Sequence, residues 1–291
     1  MARLTDLSGV PNSAGSADCV MTRLPPILAG KDFAAPSVFA PENLLREARR
    51  QRNVPEAAVP EICILDPDGD IVRRLAETRR TRRSPGWACY HTTLYEFAHQ
   101  GERLGIVGCA VGASFAVLVA EQLFVSGCRF LISMTSAGQI IQEAPPPYFI
   151  LIDRALRDEG TSYHYLPPEE FVGAEPRLVD TTMAAFAGLG PPIYQGASWT
   201  TDAPFRETAA AIERCRARKI LAVEMEAAGL YAFAQARRKP VLCFAHVTNQ
   251  MAMVEGDFEK GEAAGSAASL KVIAIAASAW RGLAGTNPSV R

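Results

Sequence analysis

Lysine is scarce in this sequence: only five of its 30 basic residues are lysines, and the formal net charge is −1. A chain so close to neutral has no overall attraction to nucleic acid or to an anionic membrane, so we expect neither as a partner. The seven cysteines are widely spaced and form no CxxC pair or Cys/His cluster, which argues against a zinc site. Such thiols, mostly in apolar runs, are typical of a reduced cytoplasmic protein.

Several familiar segments are also missing from the sequence. The first 26 residues lack the apolar core of a secretory signal peptide, and no apolar stretch looks long and uncharged enough to span a bilayer. Gly108 and Gly112 do not match the dinucleotide-binding fingerprint, and no Gly-Lys-Ser/Thr follows them. We therefore expect a cytoplasmic protein without a metal, a redox cofactor or a bound nucleoside triphosphate.

What the sequence does contain is an alternation of strand and helix patterns. With 291 residues, 48% of them hydrophobic, the chain can bury one large core. We predict one α/β domain over residues 61–284, an N-terminal arm over residues 1–60 and a short tail over residues 285–291. The arm contains one predicted helix, Pro41–Arg52, which has proline in its first turn and arginines toward its end.

The stretch from Arg103 to Gly138 predicts a strand, a glycine-containing turn, a buried helix and a second strand. A strand–helix–strand unit of this kind implies a parallel pair of strands. The small residues of the turn would let a ligand approach the backbone at the start of the helix, where anions are favoured.

Two glutamates interrupt an almost wholly apolar run, LAVEMEAAGLYAFA, at Glu224 and Glu226. At the end of a strand, residues two apart share a face, so both carboxylates would point into one pocket. The alternative is a helix start with acidic residues near its positive end. The residues alone leave both interpretations open.

Polar clusters of this kind fall after several predicted strands, where ligands bind in open α/β sheets. Three of them, RDEGTSYHYLP, WTTDAPFRET and VEMEAAGLYAFA, resemble motifs of the nucleoside phosphorylase superfamily in order and spacing. This superfamily includes uridine phosphorylases, hexameric-type purine nucleoside phosphorylases and related nucleosidases. The resemblance covers roughly residues 62–282 and implies a single-domain, three-layer α/β fold with a mixed central sheet flanked by helices.

The resemblance implies a ribose site at Glu224, Met225 and Glu226, with Glu226 also acting in catalysis. A carboxylate at Glu226 can accept hydrogen bonds from both hydroxyls of a vicinal diol, and Met225 would pack under the sugar. Its negative charge would also favour an oxocarbenium-like transition state.

On the base side, Asn249 occupies the place of the general acid of the purine enzymes. An amide donates a hydrogen bond but delivers no proton at neutral pH, which favours a uridine-like substrate over a purine. The resemblance further implies base-binding roles for Trp199, Phe205, Arg206 and Tyr163, although Trp199 and Phe205 fit a core role equally well.

On the phosphate side, the resemblance implies Ser136, Thr135, Gly69 and Arg73 as ligands of inorganic phosphate, the co-substrate. Ser133, however, stands where the family's phosphorylases carry an arginine, and the loop LDPDGDIVRR has extra residues. Three functions therefore remain open: a phosphorylase, a nucleosidase that uses water, and a nucleoside-binding protein without catalysis. The resemblance also implies a homo-oligomer, dimer-based and possibly hexameric.

Overall fold

The structure is a computed structural model that describes residues 24–251, 255, 257–258 and 260–286. The described residues form one mixed sheet with helices on both faces, which confirms the expected three-layer α/β fold. Residues 1–23 of the predicted arm and residues 287–291 of the predicted tail lie outside the described part.

Seven α-helices occur in the described part of the chain. They are α1 (Pro41–Arg52), α2 (Asp70–Glu77), α3 (Ala113–Val125), α4 (Pro176–Ala185), α5 (Ala209–Ala217), α6 (Ala227–Arg237) and α7 (Ser266–Thr286). The predicted helix Pro41–Arg52 is confirmed as α1, with proline in its first turn and Asn53 in the left-handed conformation after its end. Helix α7 continues through Thr286, so residues 285 and 286 of the predicted tail are helical.

Ten strands form the sheet of the described residues. They are β1 (Ile62–Asp66), β2 (Arg82–Arg83), β3 (Leu94–His99), β4 (Glu102–Gly108), β5 (Phe130–Gln139), β6 (Tyr148–Asp158), β7 (Phe171–Gly173), β8 (Ile193–Thr201), β9 (Ile220–Glu224) and β10 (Val241–Asn249). The predicted strand–helix–strand unit is β4–α3–β5. Its two strands are parallel, but they are not neighbours, because β1 lies between them and pairs with both.

One end of the sheet closes on itself. Strand β5 pairs with β10 along most of its length and with β9 at its far end, while β10, β6, β8 and β9 pair in that order. The result is a small five-stranded barrel joined to an open sheet of β1, β4, β3 and β2. Tyr231 of α6 links two strands of this barrel. Its hydroxyl donates to the carbonyl of Ile152 in β6 at 2.5 Å and accepts from the N–H of Cys243 in β10 at 2.9 Å.

The helical stretch Glu262–Gly285, which contains most of α7, is the one described helix long and apolar enough to cross a membrane by length and composition, which corrects the expectation that no stretch of the chain qualifies. Of its most apolar window, 56% is buried inside the fold. Trp280 is fully buried and stacks on Phe130 at 5.3 Å between ring centroids. The apolar surface of α7 therefore packs against the sheet, as that of a core helix does.

Candidate active site

The ends of three strands and the start of one helix meet in a cleft of about 350 Å³. Strands β5, β9 and β10 end there, and α6 begins there. Seven of the twelve residues predicted for the site line this cleft together: Thr135, Ser136, Phe205, Glu224, Met225, Glu226 and Asn249. The chain thus brings together side chains more than 100 residues apart at the expected edge of the sheet.

Glu224 is buried and fully bonded within the protein. Its Oε1 accepts from the hydroxyls of Ser198 at 2.9 Å and Thr200 at 2.5 Å. Its Oε2 accepts from the backbone N–H groups of Glu226 and Ala227, both at 2.7 Å. Because these N–H groups open helix α6, Glu224 satisfies donors that have no partner inside the helix. Glu224 therefore anchors the start of α6 and the backbone of Glu226.

Glu226 is equally buried but only half bonded. Its Oε1 accepts from the N–H of Gly112 at 2.7 Å, while its Oε2 is buried without a hydrogen-bond partner among the described residues. Gly112 precedes the first residue of α3, so the anion expected at the start of that helix is the Glu226 carboxylate itself. Burial, and then the charge of Glu224, raises the pKa of Glu226 to about 8.

Asn249 lies at the end of β10 with a buried amide. Its Oδ1 accepts from the N–H of Met251 at 3.0 Å, and its Nδ2 donates to the hydroxyl of Thr248 at 3.3 Å. These bonds hold the amide plane on the wall of the cleft. Since Nδ2 carries two hydrogens, one N–H remains to face a ligand.

Asp68 also lines the cleft, although the sequence analysis did not single it out. Its carboxylate accepts from both donors of Ser136, the N–H at 3.1 Å and the hydroxyl at 3.0 Å. A carboxylate thus occupies the donors that were expected to hold phosphate. Lys260 lies behind it, with Nζ 3.6 Å from Asp68 and 2.6 Å from Asp70. The run LDPDGD offered one signal, an acidic residue in the loop assigned to phosphate.

The cleft is acidic. Four carboxylates line it, and none of its described lining residues is an arginine, lysine or histidine; the four are Asp68, Glu207, Glu224 and Glu226. Burial raises the pKa of Glu207 to about 7. Ser133, at the position of the family's arginine, is a buried residue of β5 whose hydroxyl has no partner among the described residues. The described lining therefore offers no cationic side chain to an anion that enters.

The remaining five predicted residues do not line the cleft. Trp199 packs in a core cluster and donates its indole N–H to Asp158 at 2.9 Å. Tyr163 bonds the carbonyl of Arg157 at 2.9 Å, with its ring under that arginine's guanidinium. Arg206 is exposed.

The two residues predicted in the phosphate loop, Gly69 and Arg73, lie outside the lining of the cleft. Gly69 precedes α2 with a φ of 73°, where an added Cβ would lie 2.8 Å from the sulfur of Cys109. Arg73 forms an ion pair with Asp70 and is largely exposed. The Asp70 carboxylate therefore already pairs with the Arg73 guanidinium.

Comparisons with known proteins show which family has this fold and this sequence. The family model described as the phosphorylase superfamily matches residues 61–280. The chain belongs to the phosphorylase superfamily. Two solved structures of uridine phosphorylase from Vibrio fischeri ES114, one of them complexed with 6-hydroxy-1-naphthoic acid, share this member's fold with a TM-score of 0.62. Each is 18% identical, and the match covers 76% of this chain and 90% of the other.

Proposed function

We propose that this protein cleaves the N-glycosidic bond of a nucleoside. The observation that carries the proposal is the free Oε2 of Glu226, a buried carboxylate oxygen without a partner among the described residues, on the wall of the cleft. Leaving such an oxygen unpaired is costly, and the two hydroxyls of a ribose would supply the missing donors. Bound hydroxyls would also favour the ionised carboxylate, against the burial that raises its pKa.

The cleft supports a division of labour around the scissile bond. An ionised Glu226 below the sugar would stabilise positive charge at C1′ as the bond breaks. Met225 would pack against the ring. The remaining N–H of Asn249 would donate to a base carbonyl oxygen as negative charge grows on it, without delivering a proton. These roles favour a uridine-like substrate.

Phosphorolysis is the first candidate reaction, and membership of the phosphorylase superfamily supports it. A phosphate oxygen would bond to C1′ while the C1′–N bond breaks, and the bonding electron pair would leave with the base. To use the Ser136 donors, phosphate would displace the Asp68 carboxylate and take Lys260, now 3.6 Å from Asp68, as its cation. The products would be ribose 1-phosphate and free base.

Hydrolysis is the second candidate, and the contact between Asp68 and Ser136 favours it. The described lining of the cleft holds no basic side chain, so it offers a phosphate dianion no compensating charge, whereas it can accept neutral water. Water would attack C1′, Asp68 would take its proton, and the base would leave with the electron pair of the broken bond.

As further parts of the proposal, we expect a homo-oligomer in the cytoplasm.

The deciding experiment measures free base released from uridine, inosine and adenosine, with and without inorganic phosphate. Phosphate-dependent release supports the first candidate, and release that ignores phosphate supports the second. Nucleoside binding by calorimetry without release of base would contradict both and leave a non-catalytic binder.

Asp68→Asn separates the two candidates a second time. For a phosphorylase, removing the charge that competes for Ser136 should lower the KM for phosphate several-fold. For a hydrolase, loss of the base should lower kcat about 100-fold or more. Asp180→Asn, an exposed acid on α4, removes the same charge far from Ser136 and should change neither value.

A further inference from the structure

A second cavity, of about 620 Å³, lies at the opposite edge of the sheet from the catalytic cleft. Arg129, just before β5, and Pro240, just before β10, line it, whereas the cleft lies where these strands end. The ends of α3 and α6 and the start of α4 complete its walls. Its volume is in the range of small-molecule sites.

The floor of this cavity is apolar. Phe124, Leu178 and Val241 line it and are each no more than 9% exposed. Such a floor accepts an apolar or aromatic body, whose burial away from water is favourable. The ammonium of Lys239 lies 5.5 Å from the ring centroid of Phe124, so a cation already marks the edge of this floor.

The walls carry four basic side chains and one acidic one. The basic residues are Arg129, Arg177, Arg238 and Lys239, and the acid is Glu175. The Glu175 carboxylate is already hydrogen-bonded within the chain, because it accepts from the N–H groups of Arg177 and Leu178 at the start of α4. The cavity is therefore positive around an apolar floor.

The acids beyond the walls leave two of the wall arginines unpaired. Arg129 does have an acidic partner, because it pairs with Glu61 at 3.2 Å, and Arg281, which shares Glu61, pairs with Glu102 as well. Neither Arg177 nor Arg238 forms an ion pair with a described residue. Arg177 also lies in the first turn of α4, where the helix dipole disfavours a cation. An anion bound beside Arg177 would relieve this arrangement.

We propose that this cavity is a second binding site for a small molecule with an aromatic or apolar body and one anionic group. The body would lie on Phe124, Leu178 and Val241, and the anionic group would pair with Arg177 and Arg238. No part of the site is shared with the catalytic cleft, so it is independent of the reaction proposed above.

The test is a calorimetric titration with 1-naphthyl phosphate, which carries both chemical features. We expect one saturable site per chain and at least tenfold weaker binding of 1-naphthol and of inorganic phosphate, because each carries one feature only. The double substitution Arg177→Gln/Arg238→Gln should weaken binding of 1-naphthyl phosphate at least tenfold. Arg214→Gln, an exposed residue of α5, removes a similar charge elsewhere and should leave binding within twofold.

Three results would overturn the proposal. One is binding that the double substitution leaves unchanged while thermal unfolding shows a folded protein. Another is binding lost in Glu226→Gln, which would put the probe in the catalytic cleft. The third is no binding of the probe together with a changed oligomeric mass of the double variant in sedimentation, which would make this surface a contact between copies of the chain.

Discussion

At the scale of single residues, two glutamates of the same motif differ in how many hydrogen-bond donors the protein supplies to them. Glu224 receives four hydrogen bonds from the protein, so no oxygen is left for a ligand. Glu226 receives one, from Gly112, and keeps a buried oxygen free of described partners. Of the two alternatives left open by the sequence, the helix-start role fits Glu224 and the pocket role fits Glu226.

Glu226→Gln tests the pocket role through pH. The pKa of Glu226 is raised to about 8, and the ionised form is the one that binds a diol. We therefore expect kcat/KM for the nucleoside to rise with pH up to about 8 in the wild type, since kcat/KM reports ionisations of the free enzyme. Glu226→Gln should lose about 100-fold or more in kcat/KM and the pH dependence with it.

The control for this profile is Glu213→Gln, an exposed acid on α5. It should retain both the activity and the pH dependence of the wild type. A Glu226→Gln enzyme that keeps the rise in kcat/KM would assign that ionisation to another group and refute the role of Glu226.

At the scale of elements, the site depends on how closely α6 approaches α3. A Cβ added at Gly229 of α6 would lie 2.8 Å from the Cβ of Ala113, the first residue of α3. The same approach sets the N–H of Gly112 against Glu226. Gly229 is the third residue of α6, and glycine within a helix is otherwise unfavourable, so close packing accounts for it.

Gly229→Ala should therefore destabilise the protein despite the better helix propensity of alanine. We expect a loss of about 1–3 kcal/mol in the free energy of unfolding, from the overlap with Ala113, measured by urea titration. Gly282→Ala in α7 is the matched control, because an added Cβ there would meet no atom of a described residue within 4 Å. It should be neutral or stabilise by roughly 0.5–1 kcal/mol. Equal effects of the two substitutions would contradict close packing at Gly229.

At the scale of the whole molecule, buried ionisable groups link stability to pH. Burial raises the pKa of Asp66 to about 7 and that of Glu226 to about 8, and it lowers the pKa of His246 to about 4. Each carboxyl binds a proton more tightly in the folded protein, so its contribution to stability is present below pH 4 and is lost as pH rises through 7 to 8. His246 acts in the opposite sense but only between pH 4 and about 6.5.

The midpoint of thermal unfolding should therefore fall between pH 6.5 and pH 8.5, where the carboxyls titrate and His246 is already neutral. In Asp66→Asn/Glu226→Gln this fall should be smaller, since the amides bind no proton. Differential scanning calorimetry across this range tests the prediction. A wild-type midpoint independent of pH, or a double variant with the same fall, would contradict the assignment.

Much of the element order could be predicted from local patterns. An early proline and later arginines predicted helix α1, and apolar runs predicted strands β1, β4, β5 and β10. Helix α2 was not predicted. Residues 72–83 carry six arginines, and only Ile71 and Leu75 of the helix are buried, so the apolar pattern of a helix is weak there. The closure of the barrel was also missed, since it depends on β5 pairing with β9 over two residues only, Gly138 and Gln139.

The sequence by itself determined the family, the three-layer fold and the position of Glu226 at one edge of the sheet, because short motifs at the ends of strands fix which side chains reach that edge. Tertiary structure alone decided which carboxylate is free, that Trp199 belongs to the core, and that Asp68 bonds Ser136. Those two residues lie 68 positions apart and meet only because β1 and β5 pair in parallel. A contact made by strand pairing leaves no local pattern in the chain.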